Sequence, residues 1–259
     1  MNLILATLAM PFAGTALGAA AVFAVRRRMP LPLRQIMAGF AAGVMTAAAV
    51  WSLLLPAIGQ SQQMSVPAWL PAAAGLLAGV AFLLLLDRTV PHIHPDSDRP
   101  EGPGTRLPRA AKLTLAVTLH NIPEGMAVGV VLAAALSPDT GITPAAALAL
   151  SFGIAVQNIP EGAIVSMPAH FYGRNRRRSF LWGVLSGAVE PAAGAATLML
   201  ADRLMPLLPW LLSTAAGAMM YVVVEELIPE SQHGRHSDRA VVAFAVGFAL
   251  MMILEVALG

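Results

Sequence analysis

The chain has 259 residues, of which 57% are hydrophobic and 12% charged, with a mean hydropathy of +0.71. A soluble domain carries about 25% charged and about 45–50% apolar residues, so a soluble globular enzyme is excluded, as is disorder, which needs low hydrophobicity and high charge. The formal net charge is only +2 and there is no cysteine, which leaves no case for a nucleic-acid partner and excludes disulfides and thiolate metal sites.

A membrane helix needs about 20 predominantly apolar residues. Apolar stretches fall at 3–25, 33–56, 67–86, 110–136, 144–170, 180–200, 206–229 and 240–258. They predict an all-α membrane protein of eight transmembrane helices, a single transporter-sized domain over 1–259 with one long connection, 87–109. The first stretch has no basic side chain before it and is followed by Arg26-Arg27-Arg28 rather than a small-residue cleavage site, so it reads as a retained helix and not a signal peptide. Fifteen of the sixteen Lys and Arg fall in the connections after spans 1, 3, 5 and 7, Arg203 being the exception. Basic residues accumulate in cytoplasmic loops. Both termini are therefore expected on the extracytoplasmic side, and the basic pI is accounted for by the lipid bilayer as partner. The small size and short loops point to a bacterial inner membrane. Gly14 and Gly18, Gly39 and Gly43, Gly75 and Gly79, and Gly183 and Gly187 repeat at the four-residue spacing that lets membrane helices approach closely. Trp69, Tyr172 and Trp210 near span ends fit an interfacial belt.

The carboxylates are the exception to this apolar pattern. Glu124, Glu161, Glu190, Glu225 and Glu226 fall at or near membrane depth, where each costs on the order of 3 kcal/mol on insertion scales. No Lys or Arg inside a span is available to pair with them, so protons or metal cations must neutralise them. Span 4 contains His120-Asn121-Ile122-Pro123-Glu124-Gly125 and span 5 contains Gln157-Asn158-Ile159-Pro160-Glu161-Gly162. The shared N-I-P-E-G, on neighbouring antiparallel spans, reads as an inverted repeat around a site. Positions three and four apart share a helix face, so His120, Asn121 and Glu124 converge, as do Gln157, Asn158 and Glu161. Each proline withholds a backbone donor and frees a carbonyl one turn earlier. Imidazole, carboxylate and amide oxygen suit Zn2+, Fe2+ or Mn2+. Glu190, followed by Pro191, is a further candidate ligand. Of Glu225 and Glu226, one is expected to face the pathway and the other the cytoplasmic mouth. Met45 is the candidate thioether ligand, against a plain reading as core. Asp87, His92 and His94 at the start of the long connection read as a metal relay or as a solvated loop.

These motifs resemble the ZIP family of divalent-metal transporters, in its prokaryotic GufA-like branch. The resemblance includes Gly39–Met45, Asp87–His94, Ser186–Pro191 and Gly217–Glu230 and covers nearly the whole chain. It implies eight helices with extracytoplasmic termini, transport of Zn2+ (or Cd2+, Fe2+, Mn2+) toward the cytoplasm as substrate, no organic cofactor, a homodimer and an elevator-like motion of spans 1, 4, 5 and 6 against the rest. It also implies a binuclear centre. One position uses His120, Glu124, Gln157 and Glu161 with Met45 close by. The other uses Asn121, Asn158 and Glu190, with Glu124 and Glu161 bridging. Asp87, His92, His94 and Glu226 resemble exit-path ligands, and Glu225 stands where the family often has histidine.

A membrane-embedded metal-dependent hydrolase is the competing reading, since a bound metal can activate water. Against it, there is no H-E-x-x-H motif. A proton-coupled carrier of an organic substrate would also use buried carboxylates, but the histidine and amide set points to metal.

Overall fold

The break inside the sixth apolar stretch and the two widened helical turns fall where the sequence withholds a backbone donor. The computed structural model describes residues 2–24, 29–91, 102–138, 140–171, 175–234 and 238–258, with the backbone alone at 109, 110, 113 and 168–171. Among these residues helix is the only regular structure. The helices are α1 (Leu3–Ala24), α2 (Leu31–Ser61), α3 (Trp69–Thr89), α4 (Arg109–Ala135), α5 (Pro144–Phe171), α6 (Arg176–Gly187), α7 (Val189–Met199), α8 (Ala201–Ser231) and α9 (Asp238–Leu258). Seven helices are long and apolar enough to cross a membrane: α1, α2, α3, α8 and α9, with Thr114–Ala135 of α4 and Pro144–Met167 of α5.

The predicted span at 180–200 departs from expectation. It consists of α6 and α7, each too short to cross alone, meeting at Ala188. Pro191 lacks the N–H that would reach the Gly187 carbonyl, and its ring crowds that carbonyl. The break leaves Glu190 in the first turn of α7. The boundaries move elsewhere too. The helix predicted to end at 86 continues to Thr89, so Asp87 is a buried helical residue. Glu230 lies in the last turn of α8 and is 2% exposed.

Two helices widen into π turns, at Ala49–Leu54 in α2 and Val223–Leu227 in α8. Both precede a proline by two residues, Pro56 and Pro229. The missing proline donor shifts the chain to wider bonding: Leu55 N–H donates to the Val50 carbonyl and Ile228 N–H to the Val223 carbonyl. Such turns recur at functional sites. Pro11 in α1 is handled differently. It leaves the Thr7 carbonyl without its helical donor, and the Ser151 hydroxyl of α5 donates to that carbonyl at 2.5 Å.

The closest packing falls within two sets of helices: α1, α4, α5, α6 and α7 pack on one another, and α2 packs on α9 and α3 on α8, while α2 also packs on α5 and α8 on α4 across the two sets. Glycine sets the close approaches. A Cβ on Gly14 or Gly18 would overlap the Ala155 or Ile159 carbonyl of α5, and one on Gly125 would overlap the Glu190 backbone. Gly39 and Gly43 meet α9, and Gly75 and Gly79 meet α8, in the same way. The small-residue pairs are thus packing surfaces, as their spacing suggested.

Candidate intramembrane metal site

The two N-I-P-E-G segments meet at the level of the α6–α7 break. Glu190, placed there by that break, is held from three helices. Its Oε1 accepts from Thr15 Oγ1 of α1 at 2.9 Å and from Asn121 Nδ2 of α4 at 2.9 Å; its Oε2 accepts from Asn158 Nδ2 of α5 at 3.0 Å. Asn121 Nδ2 also reaches the Ser186 carbonyl at 3.2 Å. One turn away, Gln157 Nε2 donates to Glu124 Oε1 at 2.7 Å. All these side chains are buried: Asn121, Gln157 and Asn158 are fully so, and Glu124 and Glu190 are 1% exposed.

Five oxygens of this cluster accept no hydrogen bond from any described residue: Asn121 Oδ1, Glu124 Oε2, Gln157 Oε1, Asn158 Oδ1 and Glu161 Oε1. Buried polar atoms ordinarily have partners, and each unsatisfied one is a cost to explain. Between Lys112 and Arg174 the sequence has no Lys or Arg, so the N-I-P-E-G segments bring no cation of their own to these acceptors. The spacing argument expected ready ligand sets. Among the described residues no three His, Asp or Glu side chains close into a cage. The amide N–H groups of Asn121 and Asn158 instead donate to Glu190 and that of Gln157 to Glu124, which leaves the three amide oxygens as acceptors without donors.

His120 links the cluster to the other helix group. Its Nδ1 hydrogen-bonds Glu226 Oε2 of α8, and its Nε2 lies 3.8 Å from Asp87 Oδ1 of α3. A cavity of about 20 Å3 is lined by His120, Glu161, Glu226 and Glu230 with Val117, Ile164, Val222 and Leu227; about 10–15 Å3 suffices for one water-sized occupant. Glu226 is buried and Glu225 exposed, because neighbours on a helix point to different faces. Met45 is fully buried in the apolar core. His92 and His94 lie outside the described residues.

Three polar residues escaped the sequence reading. Thr15 had no local signal, since a threonine in an apolar helix commonly bonds its own preceding turn, as Thr7 does to the Leu3 carbonyl at 2.9 Å. Glu230 stands in the last turn of its helix, where hydropathy alone gives no sign that it is buried. Glu255, four positions before the last residue of the sequence, is 7% exposed and accepts from Ser52 Oγ of the α2 π turn at 2.5 Å. It borders a separate cavity of about 170 Å3.

Residues 99–255 match the family described as ZIP zinc transporter. The chain is 34% identical over 326 residues to zinc transporter ZIP11 of Homo sapiens, covering 95% of this chain and 94% of that protein. It is 37% identical over 251 residues to zinc transporter ZIPB of Bordetella bronchiseptica, covering 96% and 79%. To zinc transporter GufA of Myxococcus xanthus it is 34% identical over 213 residues, covering 81% of each. Nothing in these matches supports the hydrolase. Apolar helices of membrane-crossing length and bacterial relatives matched along most of their length make this an integral protein of the bacterial inner membrane. With a family match over more than half its length and these relatives at above 30% identity, the chain belongs to the ZIP zinc transporter family, and so is a divalent-metal transporter rather than an enzyme.

Proposed function

We propose that this chain carries Zn2+, with Cd2+, Fe2+ and Mn2+ as competing substrates, toward the cytoplasm through a binuclear intramembrane site and without an organic cofactor. The observation that carries the reading is the set of five buried oxygen acceptors without donors, on paired motifs that bring no basic residue. A divalent cation supplies the missing positive charge. One position takes His120, Glu124, Gln157 and Glu161, with Met45 as a thioether neighbour. The second takes Asn121, Asn158 and Glu190, and Glu124 and Glu161 bridge the two. Amide ligands bind a borderline metal less tightly than thiolates would, which suits a site that must also let go.

His120, bonded to Glu226 and near Asp87, stands where metal would pass from the site toward Asp87, His92, His94 and Glu226, with exposed Glu225 at the cytoplasmic mouth. Taking α6 and α7 together as one crossing gives eight crossings with both termini extracytoplasmic, a count favoured by the basic-residue distribution. The family resemblance favours an elevator motion, in which α1, α4, α5 and α6–α7 slide against α2, α3, α8 and α9, across the α2–α5 and α4–α8 contacts. The family resemblance favours a homodimer.

The test is uptake into proteoliposomes holding a Zn2+-sensitive dye. Wild type is expected to give saturable uptake, competed by Cd2+, Fe2+ and Mn2+. Glu161→Ala is expected to abolish uptake while eluting as wild type on gel filtration. A wild-type rate in that variant would sink the site assignment.

A further inference from the structure

α6 opens with three consecutive arginines, Arg176, Arg177 and Arg178, directly after its N-cap Asn175. The helix dipole favours acidic side chains in a first turn and disfavours basic ones, yet this turn holds no acid. The sequence has no Asp or Glu between Glu161 and Glu190. Arg176 is held by the protein, its Nη1 donating to the Phe23 carbonyl at 3.3 Å. Arg177 and Arg178 are exposed, and neither side chain makes a hydrogen bond or ion pair with a described residue. Further along, the same face turns apolar. Positions four apart share a helix face, so Arg177, Leu181 and Leu185 stand in one row, and the two leucines are 53% and 62% exposed. Trp182 lies one turn beyond Arg178 and is half-buried.

We infer that this face binds an anionic phospholipid of the cytoplasmic leaflet, with Arg177 and Arg178 on its phosphate and an acyl chain along Leu181 and Leu185. This rests on the transport reading above, whose topology puts the start of α6 at the cytoplasmic surface. The pattern of the row decides the occupant. A soluble anion would use the arginines and not the leucines. A neutral tail would use the leucines and leave two charges opposed to the helix dipole. A zwitterionic lipid brings its own cation beside the phosphate, which repels the pair, whereas an anionic lipid matches both halves of the row. Each basic residue at an anionic surface contributes roughly fivefold to binding. The lipid bears on transport because α6 leads into the site. The Ser186 carbonyl accepts from Asn121 Nδ2 at 3.2 Å, and Ala188 alone separates α6 from the helix whose first turn holds Glu190. Gly183 and Gly187 set α6 closely against Ala19 and Thr15 of α1. A headgroup that fixes the start of α6 therefore steadies the Glu190 end of the site for metal capture.

Two readouts test this. Native mass spectrometry measures binding of added phosphatidylglycerol against phosphatidylcholine, and initial Zn2+ uptake is measured in phosphatidylcholine proteoliposomes with and without phosphatidylglycerol. Anionic vesicles also concentrate Zn2+ whatever the protein, so variants are compared with wild type in the same vesicles. Arg177→Gln with Arg178→Gln should bind phosphatidylglycerol roughly thirtyfold less tightly and lose most of the gain in uptake that this lipid gives wild type. Its Tm in detergent should stay level or rise, because the dipole is no longer opposed. Arg177→Lys with Arg178→Lys keeps the charge and should keep most of the binding, and Arg239→Gln, which removes an exposed arginine of α9, should behave as wild type. Undiminished phosphatidylglycerol binding by the double Gln variant overturns the inference, as does an equal loss in Arg239→Gln or a lowered Tm that the Lys variant shares. Displacement of the lipid by soluble glycerol phosphate would overturn it too, since the ligand would then be a free phosphate. Lipid binding lost with uptake unchanged overturns the link to transport. If wild type takes up no Zn2+ in either vesicle while lipid binding still follows the arginines, the transport reading fails and the lipid site stands.

Discussion

Glu190 is held by donors from three helices, and one of them, Thr15, comes from α1, which gives the cluster no other side-chain hydrogen bond among the described residues. A hydrogen bond to a charged group is worth about 1.5–3 kcal/mol, enough to decide where the carboxylate sits. Thr15→Val keeps the shape and deletes the hydroxyl. It is expected to weaken the Zn2+ dependence of uptake by about tenfold, the equivalent of about 1.4 kcal/mol, while Tm changes little. Unaltered Zn2+ dependence would mean that the two asparagines suffice to hold Glu190. The contrast with Glu124 and Glu161 shows how far residue type alone reaches. Their place in a repeated motif singled them out, whereas a threonine among alanines and glycines carries no such mark, and its partner is 175 positions away.

At the scale of the element, proline and glycine shape the transport helices. Pro191 splits α6 from α7, and Pro56 and Pro229 impose the two π turns. The repeat's glycines bring backbone against backbone. A Cβ on Gly162 would overlap the Thr15 carbonyl, while one on Gly59 meets nothing within 4 Å. Gly162→Ala should therefore force α1 and α5 apart, destabilising by about 1–3 kcal/mol and displacing the adjacent Glu161. Gly59→Ala should leave stability within about 0.5 kcal/mol of wild type. Thermal unfolding in detergent, with uptake alongside, checks both, and equal behaviour of the two variants would refute the close-approach argument. The four-residue glycine spacing was readable in the chain as packing. Which helix each pair meets was not, because period identifies a face and not its partner.

For the whole molecule, the two helix groups touch through few polar bonds, among them His120 to Glu226 and Gln60 Nε2 to the Thr140 carbonyl. If the groups slide past one another, locking α2 to the α4–α5 connection should stop transport. The chain has no cysteine, so Gln60→Cys with Thr140→Cys can be bridged selectively by a short, reducible cross-linker. Uptake is expected to fall to background when bridged and to recover on reduction. Full transport in the bridged protein would refute relative motion of these groups. The same cysteine-free background tests topology, since Asn2→Cys should react with an impermeant maleimide added outside.

Composition by itself determined an all-helical membrane protein, because 57% hydrophobic residues in runs of span length have no other low-energy home. The repeated N-I-P-E-G, spaced for a shared helix face and without basic residues near it, determined that the chemistry concerns cations. Several features depended on contacts between residues far apart in the chain. Pro191 marks a possible break, but the break shapes the site only because Glu190 then meets Asn121, Asn158 and Thr15. Asp87 falls at the start of a connection by hydropathy, and the burial of Glu230 leaves no mark there, because hydropathy averages over a window and cannot see one carboxylate turned inward in a last helical turn. Glu225 and Glu226 are indistinguishable by type, and only the rotation of α8 against His120 buries the second and exposes the first. The sequence lists which groups can bind and which faces they share, and tertiary packing decides which of those groups meet and which are left exposed.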